Sequence, residues 1–245
     1  MSRLLELPVE VLLIIYGSLE TMKMQQQILV SILIDNNLPL PKSPDTTWLR
    51  DHFTPDWFWK RTESQVPDNL VDKRTRGFLT TTGIPSGICP IARWNSSLLR
   101  DFENADAERY AWDADLIFGR RLADDHSAPV NFCYCIGQLD LALAMLDVRN
   151  GTVFHFDQGA YGKNADRGII ADSVPSLLVL LGTVEASVAR MGKVSSNLSH
   201  VAFEKYNDMR LFVLAALRKI MSEYDDCVEE DSMFWNAIFD TCVKY

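Results

Sequence analysis

What the chain lacks narrows its function first. No apolar run approaches 18 uninterrupted residues, so a transmembrane helix is not expected. The early apolar stretch at residues 9–15 is broken by Glu10, has Arg3 as its only early base and is followed by no clean small-residue cleavage site. A signal peptide is therefore not expected either. The five cysteines, Cys89, Cys133, Cys135, Cys227 and Cys242, are odd in number and widely spaced, a poor disulfide framework that points to a reducing compartment, cytoplasm or nucleus. Without a secretion signal, the acceptor triplets that begin at Asn95, Asn150 and Asn197 carry little weight. The histidines, His52, His126, His155 and His200, are scattered, and none opens a zinc-protease pair. There is no glycine-rich dinucleotide fingerprint, no phosphate-loop lysine motif and no serine elbow. Bases are short as well: 24 Lys and Arg against 33 Asp and Glu leave a net charge of -9, which argues against broad nucleic-acid binding.

What is present describes a folded body. At 245 residues, 47% of them hydrophobic and 23% charged, the chain is long enough to bury roughly 70–75% of its unfolded surface in one large domain or two smaller ones. Residues 7–19 and 21–35 read as two amphipathic helices forming a hairpin over 1–37. Residues 38–70 hold five prolines and little periodicity, yet also Trp48, Phe53, Trp57, Phe58 and Trp59. So aromatic a segment is expected to pack onto the body, with exposed recognition of a partner as the alternative. Residues 72–81 read as a helix packing through Phe78 and Leu79 and stopped by Gly83, with residues 84–87 as a turn. A further helix is expected within 98–112, although its aromatics also suit a strand. The centre carries the strongest pattern. Strands are expected at 131–136, ended by Gly137, at 141–148 and at 152–157, with Asn150-Gly151 as a hairpin dipeptide and a short strand near 168–171. The second strand is apolar on both faces, which places it centrally in a covered sheet. Asp172 or Ser173 caps a following helix, and helices at 200–222 and 231–242 complete the chain.

Chemistry-bearing groupings are few. Cys133 and Cys135 share one face of a strand without zinc spacing and read as small buried hydrophobes. His126 with Asp124 and Asp125 is the nearest approach to a metal cluster, and reads better as a solvated loop. Asp113 and Asp115 would share one face of a strand. Asp225, Asp226, Glu229, Glu230 and Asp231 would form same-face helical pairs. Residues 221–245 contain seven acids and the single base Lys244, a local charge of -6 that suits a basic partner or an ordinary solvated face. Lys73, Arg74 and Arg76, and the pair Arg120-Arg121, show no specific phosphate-binding geometry.

From residue 72 onward the order of features resembles the SUKH superfamily, most closely its fourth, immunity-associated subgroup. The resemblance is carried by Thr75, Arg76, Phe78, Leu79, Gly83, Pro85 and Gly87, then Ile136-Gly137, residues 141–147, Gly151-Thr152-Val153 and residues 172–178. It spans roughly residues 70–190. It implies an α+β body and a non-catalytic binding role: bacterial members neutralise toxins by direct binding, and eukaryotic and viral relatives suggest adaptor use. Gly83, Pro85, Gly137 and Gly151 match the turn positions of that pattern. The chain departs from it by about 70 additional N-terminal residues and an acidic C-terminal extension. Leu7, Pro8, Glu10, Leu12, Ile15 and Leu19 faintly resemble the opening of an F-box, which would imply docking to a ubiquitin-ligase adaptor.

These readings converge on an α+β fold: a SUKH-like central sheet, mostly antiparallel or mixed, with flanking helices and helical additions at both ends. The expected organisation is a helical hairpin at 1–37, an aromatic segment at 38–70, a core at 71–190 and a C-terminal helical extension at 191–245. The expected function is non-enzymatic binding of another protein, in the toxin-neutralising mode the resemblance implies. Trp57, Trp59, Asp113, Asp115, Asp225, Asp226, Glu229 and Glu230 are the candidate contacts to a basic partner. No catalytic residue, cofactor or metal is assigned, and neither nucleic acid nor membrane is expected as a partner. Two alternatives stand beside it: an adaptor that docks through residues 1–35, and a hydrolase uniting His126 or His155 with Asp113 or Asp115 in a deep cleft.

Overall fold

The computed structural model describes residues 34, 38–53, 55, 57–101, 111–117, 126–129, 131–139, 142–157, 166–195, 200–229 and 231–244. The expected hairpin at 1–37, and with it the F-box-like stretch, lies outside these residues apart from the buried Ile34.

The two-sided apolar strand organises the fold. Strand β7 (Ala142–Asp147) lies between β6 (Phe132–Leu139) and β8 (Val153–Asp157). Because successive side chains alternate across a sheet, its Leu143 and Met145 join Cys133, Cys135, Phe154 and Phe156 on one face. Ala144 and Leu146 join the larger core with Ile136 and Val153 on the other. Seven strands make up this sheet among the described residues: β3 (Ile88–Cys89), β4 (Trp94–Asn95), β6, β7, β8 and β9 (Asp166–Ala171) in that order, with β5 (Ala111–Asp113) also pairing β6. Every pairing is antiparallel. The fold is thus α+β with an antiparallel central sheet and flanking helices. The outer edge of β6 is shared, with β5 on Phe132–Tyr134 and β4 on Gln138–Leu139.

Three local expectations are corrected. Gly137 does not end its strand: β6 continues to Leu139 through a register shift between Cys135 and Gly137. Its missing side chain admits the Trp94 indole, since an added Cβ would lie 2.1 Å from Cζ2 of that ring. The hairpin connection between β7 and β8 spans residues 148–152 rather than the 149–151 left between the expected strands, with the Asp147 N–H donating to Thr152 O at 2.9 Å and the Gly151 N–H to Asp147 O at 2.8 Å. Asn150 contributes through its side-chain oxygen, which accepts from the Thr152 N–H at 3.1 Å. Gly151 alone in this turn takes a positive φ, +81°. Asp147, buried at the foot of the turn, receives Arg149 Nε at 2.8 Å and its Nη2 as well. Finally, residues 84–86 are a strand rather than a turn: β2 (Ile84–Ser86) pairs with β1 (Trp57–Trp59) in a separate two-stranded sheet, Pro85 opposite Phe58. Proline is tolerated there because the ribbon has only two strands and therefore a free edge.

The aromatic segment contains a helix, α1 (Thr46–Phe53), that its weak periodicity concealed. Asp45 initiates it, its Oδ1 accepting from the Trp48 N–H at 2.8 Å. Leu49 and Phe53, one turn apart, are buried. Helix α2 (Lys73–Thr81) is capped by Asp72, whose Oδ2 accepts from the Thr75 N–H at 2.7 Å, and buries Phe78 and Leu79. In the 98–112 region both expectations are met in part, by α3 (Leu98–Asp101) and by β5, which leads directly into α4 (Ala114–Ile117). Helix α5 (Val174–Ser195) is capped by Ser173, whose Oγ accepts from the Ser176 N–H at 3.3 Å, and passes through Gly192. Leu177, Leu178, Leu180, Leu181 and Val184 are essentially inaccessible on it. By length and composition this helix is apolar enough to cross a membrane, but 78% of its most apolar window is buried inside the fold. Helices α6 (His200–Tyr224) and α7 (Met233–Lys244) finish the chain. From α7 the buried Trp235 donates its indole N–H to Ile170 O at 3.0 Å. Ile170 sits at a register shift of β9, so the indole satisfies a carbonyl that the sheet leaves over on its edge strand.

Helix α1 also carries a pH-sensitive contact. The His52 ring stacks on Trp48, with centroids 3.7 Å apart, and its Nδ1–H donates to Trp48 O at 2.7 Å. Burial holds its pKa below the ordinary 6.5 against the pull of the carbonyl, and Arg190 adds to the lowering. A group with a lowered folded value contributes stability above its unfolded pKa and loses it as pH falls through the folded value. Urea-unfolding midpoints of the native chain and His52→Gln should therefore converge as pH falls below about 6.5. A pH-independent difference between the two would refute the contact's titration. The comparison cancels the opposite contributions of Asp172 and Glu185, whose pKa values are raised.

Candidate functional site

The densest chemistry among the described residues forms where β9 meets the end of α6. The chain leaves β9 at Ala171 and leaves α6 at Tyr224, and Asp225 ties the two ends together. Its Oδ2 accepts from the Asp172 N–H at 3.0 Å, and its Oδ1 accepts from the Cys227 N–H at 3.1 Å. The second bond caps the 3-10 turn Asp226–Val228. This clamp brings ligand atoms of Asp172, Asp225, Asp226 and Cys227 within 4.8 Å of one another. Asp225 is 3% exposed, whereas Asp172 and Asp226 face solvent.

The electrostatics follow from that crowding. Burial raises the pKa of Asp172, and the charges of Asp225 and Asp226 raise it further, while Arg74 and the Cys227 thiol pull it back. The Cys227 thiol is pushed far up, by burial first and then by its hydrogen bond to Asp225 and the three surrounding acids. Three carboxylates and a thiol are a donor set for a metal ion, oxygen-rich with one soft ligand. Two features oppose it: both Asp225 oxygens already serve backbone N–H groups, and the thiol would have to surrender a strongly held proton. The arrangement serves first as a joint between sheet and helix.

The residues singled out from sequence are dispersed. Trp57 is half-buried on β1. Trp59 packs against the main core beneath the Arg61 guanidinium, 4.3 Å from the ring centroid. Asp113 and Asp115 do not share a strand face, because the chain turns into α4 between them. Asp113 Oδ1 instead accepts from the N–H groups of Asp115 at 3.0 Å and Leu116 at 3.3 Å, and Asp115 Oδ2 accepts from Asn131 Nδ2 at 3.0 Å. Nor do the described residues of 225–231 form a helical face, since α6 ends at Tyr224, Asp226–Val228 form a 3-10 turn and α7 begins at Met233. Asp226 and Glu229 are exposed there, and Glu230 lies outside the described residues. Of the seven candidates among the described residues, the joint unites only Asp225 and Asp226. Asp172, read as an alternative to Ser173 for the helix cap, escaped the sequence reading because it lies 53 residues from Asp225.

Comparison with known protein families, curated proteins and solved structures finds no match.

An open groove of about 560 Å³ lies between residues 64–69 and Ala111, Pro129, Phe132 and Tyr134. None of His126, His155, Asp113 and Asp115, the groups required for the hydrolase alternative, lines it. His155 is buried on β8 beside Phe234, ring centroids 5.6 Å apart, and two strands, β6 and β7, separate β8 from the Asp113 strand. His126 is exposed, and its neighbours Asp124 and Asp125 lie outside the described residues. All five cysteines are free thiols, with Cys133 and Cys135 buried on one face of β6.

Proposed function

We propose that the chain is a non-enzymatic protein-binding module that occludes a basic surface of its partner, in the toxin-neutralising mode that a SUKH-like protein would use. The observation that supports this reading is the distribution of acids around the joint. Asp225 is consumed by the fold, but Asp226, Glu229 and Asp231 remain exposed, beside a Met233 that is 54% exposed. Acids clustered on one surface speed encounter with a basic partner, and an accessible apolar side chain among them supplies contact area that survives salt. Asp113 and Asp115 are committed to holding α4 and Asn131 and drop to a lesser place among the contacts. Trp59 is similarly committed to the core, which leaves Trp57 as the aromatic candidate.

The test compares native affinity capture by the wild-type chain with capture by an Asp226→Lys, Glu229→Lys, Asp231→Lys triple variant, at low and at high salt. A basic protein retained by the wild type and lost by a variant of unchanged melting temperature is the expected result. Capture of the same proteins by both chains, or of none by either, would overturn the reading.

A further inference from the structure

We draw no further inference here: the strongest candidate, the Asp172–Asp225–Asp226–Cys227 cluster where β9 meets the end of α6, is a group of acids with one thiol whose buried carboxylate is already satisfied by two backbone N–H groups, and nothing in the structure points to a ligand there.

Discussion

Gly137→Ala is expected to destabilise the protein by about 3 kcal/mol, an overpacking cost at the upper end of the usual range. The added methyl would lie 2.1, 2.3 and 2.8 Å from Cζ2, Cη2 and Cε2 of Trp94, well inside van der Waals contact. The ring has little room to retreat, because Trp94 is fully buried on β4, and β4 is itself registered on β6 through Trp94 and Leu139. Relief therefore requires moving either the indole or the strand pairing. A double-mutant cycle separates this clash from any intrinsic strand preference. Trp94→Leu alone should cost about 3 kcal/mol for the cavity it leaves. It sacrifices no hydrogen bond among the described residues, where the Trp94 indole nitrogen has no partner. Combined with Gly137→Ala, the two should fall short of additivity by at least about 1 kcal/mol, as the smaller side chain admits the methyl. Urea-unfolding midpoints of the four chains provide the measurement. A Gly137→Ala protein within about 0.5 kcal/mol of wild type, the range of an ordinary surface change, would mean that the glycine is not the seat of Trp94.

That glycine marks where sequence reading reaches its limit. Locally, a glycine after six expected strand residues is a sound terminator, and only the arrival of Trp94 from another strand explains why the strand continues. Readings that depend on one element's own pattern fared better. The two-sided apolar character of residues 141–148 placed β7 in the middle of the sheet, because only a strand covered on both faces tolerates Leu143 and Met145 opposite Ala144 and Leu146. Ser173 was legible as a cap for the same reason, since the interaction spans three residues. Helix α1 was missed because eight residues offer one buried pair, Leu49 and Phe53, too short a record for periodicity. The parity argument for Asp113 and Asp115 failed once the strand yielded to a helix at Ala114, for which Asp113 is itself the cap. The candidate site was half legible. The acidity of residues 221–245 is plain from composition, but which acid is buried depends on Asp172, far away in the chain.

Asp225→Ala and Asp226→Ala, adjacent substitutions of the same residue type, should therefore differ sharply. Asp225→Ala removes the acceptor of two backbone N–H groups, those of Asp172 and Cys227. At about 1–3 kcal/mol for each donor left unsatisfied, discounted because both bonds are only part-buried and water can reach either donor, a loss of about 2 kcal/mol is expected. Asp226→Ala removes an exposed carboxylate and should stay within about 0.5 kcal/mol. Asp225→Asn, which keeps one acceptor oxygen and the shape of the side chain, should fall between them and remain folded. It also reads the electrostatics directly. The charge of Asp225 helps raise the pKa of Asp172, so in Asp225→Asn the Asp172 carboxyl should titrate at a lower pH by carboxyl-resolved NMR. The sign for stability follows: a carboxyl with a raised folded pKa contributes stability at low pH that is lost as pH rises through the folded value. Removing the neighbouring charge should therefore reduce that loss. Equal tolerance of Asp225→Ala and Asp226→Ala, with an unmoved Asp172 titration, would make the segment a plain run of surface charge with no structural joint in it. The predicted contrast instead divides the acids, with Asp225 holding β9 to the end of α6 and Asp226, Glu229 and Asp231 exposed for the proposed partner. It also explains why a charge-reversal test of binding must spare Asp225, because its loss would unfasten the surface being tested.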